Sequence, residues 1–433
     1  MATSNRNCAW WIPPLYLAEG LPSAVVTGMA GVALLDFGHS AAETAVYTSL
    51  LALPWAFKPF WAPAIERFGT QRRWIISMQA TLALLLAALA WVLPEQNWLA
   101  ITLALLGGIA FASATHDIAA DGFYIAALDE HRQAEWSGVR NTFFRLALLA
   151  GNGGLVWLAG HYEKSLGLGP AWTLAFMAAA TTFGLMAVYD NWAIPRLVAA
   201  SSAGANRPAP PKKSPMFTEA WGAFVQKPAF LQILAFILLY RFAEGQVQSS
   251  NKAFFLAKPL AGGLGLSADA VGLLYGTYGT LALILGGILG GLAIARTGLR
   301  RQLWPMAAAM NLPNLLYVWM AWAQPQHHAV IGCAIFLEQF GYGFGFAAFM
   351  VYLLYVSRGE HATAHYAICS ALMAVGVALA GLVAAEVLSL TATLPGGGYR
   401  QFFTWVMAST VVSFATLWKL PLAGDFGQAR RAG

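Results

Sequence analysis

The chain has 433 residues, of which 58% are hydrophobic and only 10% are Asp, Glu, Lys or Arg, with a formal charge of +6. Soluble globular proteins carry about 25% charged residues, so a soluble enzyme or binding module is excluded and an integral membrane protein remains, in line with a mean hydropathy of +0.59. The basic excess does not point to nucleic acid, because Lys and Arg gather in short loops between apolar stretches, the pattern that orients membrane spans.

A helix needs about 20 mainly apolar residues to cross a bilayer. Twelve stretches qualify, near 10–36, 43–65, 74–93, 98–128, 138–160, 171–194, 228–258, 268–295, 301–323, 328–357, 363–390 and 400–420. With the N-terminus placed in the cytoplasm, only Lys164, Lys258 and Arg400 fall in outer loops. Every other loop cation lies inside, from Arg6, Arg67, Arg72 and Arg73 to Lys419, Arg430 and Arg431. Both termini are therefore expected in the cytoplasm. Arg6 precedes a span broken by Pro13, Pro14, Glu19 and Pro22, without a small-residue cleavage site, so no cleavable signal peptide is expected. Cys8, Cys333 and Cys369 have neither disulfide nor metal-ligand spacing, and no metal or cofactor is implied.

Span one carries Tyr16 and Glu19, and span two carries Trp55 and Lys58. Span four holds His116, Asp117 and Asp121 in its inner half. Carboxylates four residues apart share a helix face, and a charge at membrane depth costs roughly 2.5–3.5 kcal/mol on insertion scales. Such groups face a cavity, pair with a cation or take up a proton, so the segment reads either as a transport site or as a charge-paired helix junction. Asp121 lies about seven residues, or ~10 Å, from the inner end of its span. Counted from Gly138, Arg145 of span five reaches a similar depth, and so does Lys58. Asp117 and Asp121 are therefore expected to carry proton coupling with Lys58 and Arg145 as alternating partners. The competing reading is a static salt-bridge cluster. His116 titrates in the right range for proton exchange, but a hydrogen-bonded structural role is the simpler one.

Residues 196–227, with Ser201, Ser202, Pro208, Pro210, Pro211, Lys212, Lys213 and Pro215, form a polar, basic, Pro-rich linker. It divides the chain into an N-terminal half, 1–195, and a C-terminal half, 228–433. Span seven carries Tyr240, Arg241, Glu244 and Gln248; Arg241 and Glu244 are three residues apart and can pair. With Tyr16, Glu19, Trp55 and His116 these are the candidate substrate-binding residues, internal pairing being the alternative. Aromatic faces mixed with hydrogen-bonding groups suit a sugar or glycopeptide. Gly286, Gly287, Gly290 and Gly291 of span eight, and Gly151, Gly153 and Gly154 of span five, suggest close helix approach. No phosphate-binding loop is present, so ATP-driven transport is not expected.

The halves repeat one another. Leu17-Ala18-Glu19-Gly20 answers to Phe242-Ala243-Glu244-Gly245, and Arg67-Phe68-Gly69 with Arg72 and Arg73 answers to Arg296-Thr297-Gly298 with Arg300 and Arg301. Two related six-span halves are the layout of transporters with a midplane site. The loop Glu66-Arg67-Phe68-Gly69-Thr70-Gln71-Arg72-Arg73 resembles the signature loop of the major facilitator superfamily. Ala62 and Glu66 stand where the usual Gly and Asp would be, and Ala295 replaces the acid of the second copy. The resemblance implies an all-α membrane fold of twelve helices in two pseudo-symmetric six-helix halves. It makes Glu66, Arg67, Gly69, Arg72, Arg73 and Arg296 a cytoplasmic gate.

Three further stretches, Tyr16 to Pro22, Leu53 to Pro63 and Ser113 to Gly122, resemble the AmpG-like permeases of the peptide and acetyl-coenzyme A transporter branch. His116 stands where the muropeptide permeases usually have Gln, and those permeases commonly have additional spans. The implied function is a monomeric secondary transporter of the bacterial inner membrane, working by alternating access. It would import a sugar-containing solute, an oligosaccharide or muropeptide, with protons. A siderophore permease of the same fold is the nearest rival; a membrane enzyme using His116 and Asp117, or a transporter-like sensor, is more distant.

Overall fold

The computed structural model describes residues 8–92, 98–196, 217–394, 398–423 and 426–428. Among these the chain is helical and has no strand. Most of the linker, including Arg207, Lys212 and Lys213, lies outside the described residues, as do Arg6, Arg430 and Arg431. The part of the linker that is described contains a helix, Phe217–Val225.

Twelve spans are present, but only nine helices among the described residues are both continuous and apolar enough to cross a membrane. The other three have local reasons to fall short. Span two is built from Ala41–Leu51, Leu53–Phe57 and Ala62–Arg67, joined through a tight turn at Lys58–Phe60. Pro54, Pro59 and Pro63 each stand in the first turn of a piece, where a missing N–H is tolerated; inside a helix it would break the ladder. Span nine is split into Leu299–Asn311 and Asn314–Ala323 at Pro313, and span twelve, Tyr399–Ala415, has 17 residues.

Span two starts at a capping box: the Ser40 hydroxyl accepts from the Glu43 N–H at 3.2 Å and the Glu43 carboxylate accepts from the Ser40 N–H at 2.9 Å. Span five begins at Glu130 and runs to Leu166, well before the expected start at Gly138. Asp129 caps it by accepting from the Arg132 N–H at 2.9 Å, and its first turns are polar, so hydropathy sees only the later part of the helix.

Two compact units emerge from the contacts. The first comprises Met1–Ala127, Val139–Trp221 and Ser357–Ala371; the second comprises Leu128–Gly138, Gly222–Val356 and Leu372–Gly433. Each thus includes a short segment from the other half of the sequence. The first unit is cored by Leu82, Leu86, Ile109, Phe176 and Phe183 of spans three, four and six. In the second, Phe254, Tyr317, Phe402 and Phe403 fill the equivalent role.

Span eight packs along span ten on glycine. A Cβ at Gly286 would run into the Phe340 carbonyl, one at Gly290 would meet Ala347 and the Phe344 carbonyl, and one at Gly343 would strike the Leu283 carbonyl. Of Gly151, Gly153 and Gly154 in span five, only Gly151 is used this way, against Ala24; the other two have nothing within 4 Å among the described residues. All three lie in the π-helical segment Ala150–Leu155.

The repeated Arg-x-Gly has a backbone cause. Gly69 and Gly298 have φ of +95° and +83°, where each chain leaves one helix and enters the next. A side chain is disfavoured there by roughly 1–2 kcal/mol. Gly69→Ala and Gly298→Ala are each expected to lower stability by about that amount, read as a fall in the thermal midpoint. Equal losses at a glycine with negative φ, such as Gly276, would remove this explanation.

Candidate functional site

The first unit gathers most of the candidates. Tyr16 and Glu19 lie on one face of span one, and Asp117, Asp121 and Tyr124 on one face of span four. Asp121 Oδ1 accepts from the Tyr16 hydroxyl at 3.2 Å and from Arg140 Nη2 at 2.8 Å. Arg140 Nη2 also donates to the Tyr366 hydroxyl at 2.8 Å, and its guanidinium lies 4.5 Å from the Tyr16 ring, 5.0 Å from Tyr124 and 5.5 Å from Tyr366. An aromatic cage of this kind favours a cation through the ring faces.

Lys58 Nζ lies 3.9 Å from Asp117 Oδ2, and the Trp55 side chain also bonds Asp117. Glu19 is within electrostatic reach of Asp121, Asp117, Arg140 and Lys58. Glu19 Oε2, Asp117 Oδ1 and Arg140 Nη1 are buried with no hydrogen-bond partner among the described residues. Buried polar atoms are normally satisfied, so an acceptor–acceptor–donor set is left for a proton, water or solute.

The cation at Asp121 is Arg140, not Arg145. The depth count began at Gly138, whereas the helix begins at Glu130, and Arg140 is the residue that turns toward span four. Tyr366 could not have been found by spacing, since it comes from the Ser357–Ala371 segment. His116 departs from its neighbours as well. It is fully buried against Gln79, at 3.3 Å between ring Nε2 and amide nitrogen, and not with Glu19 or Asp117.

In the second unit Arg241 pairs with Glu244 at 3.1 Å, donates to the Tyr342 hydroxyl at 2.8 Å and lies 4.8 Å from the Phe346 ring. Gln248 accepts from the Tyr275 hydroxyl at 3.2 Å. Glu338 accepts from Tyr317 at 3.2 Å and from Gln339 at 2.8 Å. Tyr240 is a packing residue: its ring stacks on Phe349 at 5.6 Å and its hydroxyl donates to the Gly345 carbonyl.

At the loop after span two, Glu66 accepts from the backbone N–H of Thr363 at 3.0 Å and of Ala364 at 3.2 Å. These are in the first turn of the helix Ala362–Thr391, where orphan donors and the helix dipole favour an anion. Arg72 holds the opposite kind of end. It donates to the Ile194 carbonyl at 3.1 Å and to the Asn191 side chain and carbonyl, at the C-terminus of span six. Arg67 lies against Phe68, the Arg73 N–H donates to Thr70, and the Arg296 carbonyl accepts from Gln428.

Burial raises the Glu66 pKa above the usual range, more than the Thr363 and Ala364 hydrogen bonds and the nearby His361 lower it. The packed site therefore binds a proton more tightly than Glu66 in water. Its stabilising effect is full below the ordinary Glu pKa and is lost as pH rises through the raised one. The thermal midpoint of the wild type is expected to fall as pH rises across that window. In Glu66→Gln that pH dependence should flatten; an unchanged profile would remove Glu66 as its cause.

Three comparisons bear on the whole chain. The description Major Facilitator Superfamily fits residues 14–418. The anhydromuropeptide permease of Escherichia coli K12 is 27% identical over 408 residues, 92% of this chain and 76% of that one. A protein of Rickettsia conorii named as a transporter, AmpG 4, is 22% identical over 373 residues, 82% of this chain and 84% of its own. Among solved structures, the E. coli fucose:proton symporter matches 93% of this chain and 97% of its own with a TM-score of 0.67 and 14% identity. A bacterial homologue of the iron transporter ferroportin matches 94% and 97% at a TM-score of 0.59 and 15% identity. These two likenesses concern the fold.

Proposed function

The chain belongs to the major facilitator superfamily, and from that premise we propose that this multi-pass membrane transporter imports a sugar-containing solute, an oligosaccharide or muropeptide, together with protons. The observation that carries the reading is the buried cluster of Glu19, Asp117 and Asp121 with Lys58 and Arg140. It holds three carboxylates and unpartnered polar atoms on Glu19, Asp117 and Arg140. The cargo class is supported by the permease of E. coli, whose name gives anhydromuropeptides as its solute.

A proton on Asp121 weakens its hold on Arg140, and the guanidinium then offers donors to a solute. When the proton leaves, the ion pair re-forms and the solute is released. Lys58 and Asp117 form the second, looser pair, and Trp55 and Tyr16 supply apolar faces for a sugar ring. Alternating access is carried by 1–195 and 228–433, joined by the 196–227 linker. Glu66, Arg67, Gly69, Arg72, Arg73 and Arg296 serve as the inner gate. The location is the bacterial inner membrane, the protein acts as a monomer, and both termini are cytoplasmic.

Liposomes containing the purified protein and an internal pH reporter test this directly. Offered oligosaccharides, muropeptides and siderophores, the wild type is expected to acidify the lumen with one of the first two classes. Solute uptake without acidification would sink the proton coupling, and acidification with siderophore alone would sink the cargo.

A further inference from the structure

Behind span four, on the side away from Asp117 and Asp121, lies a second buried polar group. Gln79 of span three, His116 of span four and Asp190 of span six are all fully buried. The Gln79 amide nitrogen lies 2.7 Å from Asp190 Oδ2 and 3.3 Å from His116 Nε2. His116 and Asp117 leave their helix about 100° apart, which separates this group from the site described above. Asp190 is three residues from the inner end of its helix, Leu168–Ala193.

Asp190 forms no ion pair among the described residues. From span three it faces Gln79, and Arg72 near that end is bound to Asn191 and Ile194. Its partner Gln79 also reaches His116 of span four. Spans one and five also pack on span six, but Glu19 and Arg140 belong to the other cluster and Arg145 forms no ion pair with Asp190. The remaining polar atoms, Asp190 Oδ1, Gln79 Oε1 and His116 Nδ1, are buried with no hydrogen-bond partner among the described residues. A carboxylate at this depth with a single neutral donor is poorly compensated.

We propose that Asp190, Gln79 and His116 form a second proton-binding site, in which Asp190 exchanges a proton with the inner aqueous phase. Two hydrogen-bond arrangements fit the same heavy-atom positions, because an amide's oxygen and nitrogen are nearly interchangeable in shape. In the first, the Gln79 NH₂ donates to the Asp190 carboxylate and to His116 Nε2, and the imidazole carries its proton on Nδ1. In the second, the amide is turned by half a revolution. Protonated Asp190 Oδ2 then donates to Gln79 Oε1, and His116, now protonated on Nε2 only, donates to the same oxygen. The imidazole stays neutral, so the two states differ by one proton, gained from or returned to water. Uptake changes the hydrogen bonds that join spans three, four and six without displacing a side chain.

This site is independent of the cargo, so it can be tested even if the transport reading fails. Infrared spectra of the wild type in lipid, titrated with pH, are expected to show a carbonyl-stretch band of a protonated carboxylic acid that disappears as pH rises. The band should be absent in Asp190→Asn, shifted in frequency in Gln79→Leu, and kept in Asp121→Asn. A band that does not change with pH in the wild type would overturn the proposal, since it would describe a permanently protonated packing residue. So would a titrating spectrum in folded Asp190→Asn identical to that of the wild type, since bands from Asp121 or Glu66 are common to both. If Asp190→Asn does not fold, Gln79→Leu decides, and a titrating spectrum left unchanged by that substitution overturns the proposal.

Discussion

Arg140→Ala should destabilise the protein by about 3–5 kcal/mol, the range for breaking one side of a buried ion pair. The loss has a specific source. Asp121 would remain buried without its partner at 2.8 Å, and the stack on Tyr16, Tyr124 and Tyr366 would be removed with the guanidinium. A second substitution separates the charge effect from the packing effect. In Asp121→Asn/Arg140→Gln both charges are gone, and much of the stability should return, since neutralising a buried pair is far less harmful than orphaning one member. Thermal midpoints of the wild type, both single variants and the double variant form the cycle. Strictly additive losses would mean that the two residues do not act as a pair. Folded Asp121→Asn, which keeps Arg140, is then expected to exchange labelled solute across a liposome but not to accumulate it. Accumulation driven by a proton gradient in that variant would take Asp121 out of the coupling.

Gly286→Leu is the second large effect. Its Cβ would strike the Phe340 carbonyl and approach the Phe344 N–H, both backbone groups that cannot rotate away. Overpacking costs about 1–3 kcal/mol in ordinary cores and more when the neighbour is rigid, so a loss at or above the top of that range is expected. Gly276→Leu is the control, because nothing lies within 4 Å of a Cβ placed there. A fall in the thermal midpoint for Gly286→Leu that Gly276→Leu does not share is the result to look for. Equal falls would point to helix propensity and not to the span-eight contact.

The glycines also show how far a sequence can be read. Small residues at helical spacing mark a close approach, and Gly286 and Gly290 make one. In span five only Gly151 of the three glycines makes one, and the stretch that holds them, Ala150–Leu155, is π-helical. Periodicity assumes a regular helix, and a local insertion in the ladder removes its predictive power. Arg145 failed for a related reason. Hydropathy locates the apolar part of a helix, whereas the polar first turns from Glu130, with Asp129 as cap, set the true start.

What the sequence determined by itself is the part that depends on composition and on strong local rules. Apolar length defined the spans, since a bilayer offers no partner for an unpaired backbone group. The Arg-x-Gly repeat marked the loops where the turns at Gly69 and Gly298 lie. Cost of burial singled out Glu19, Asp117, Asp121 and Lys58 as residues needing partners, and each is buried. Only the tertiary structure decided who those partners are. Arg140 meets Asp121, Tyr366 arrives from the Ser357–Ala371 segment, and His116 turns to Gln79, which also holds Asp190. The physical reason is that burial is a property of one residue's surroundings in bulk. Pairing depends on side-chain directions from helices far apart in sequence, which no spacing along a single helix encodes.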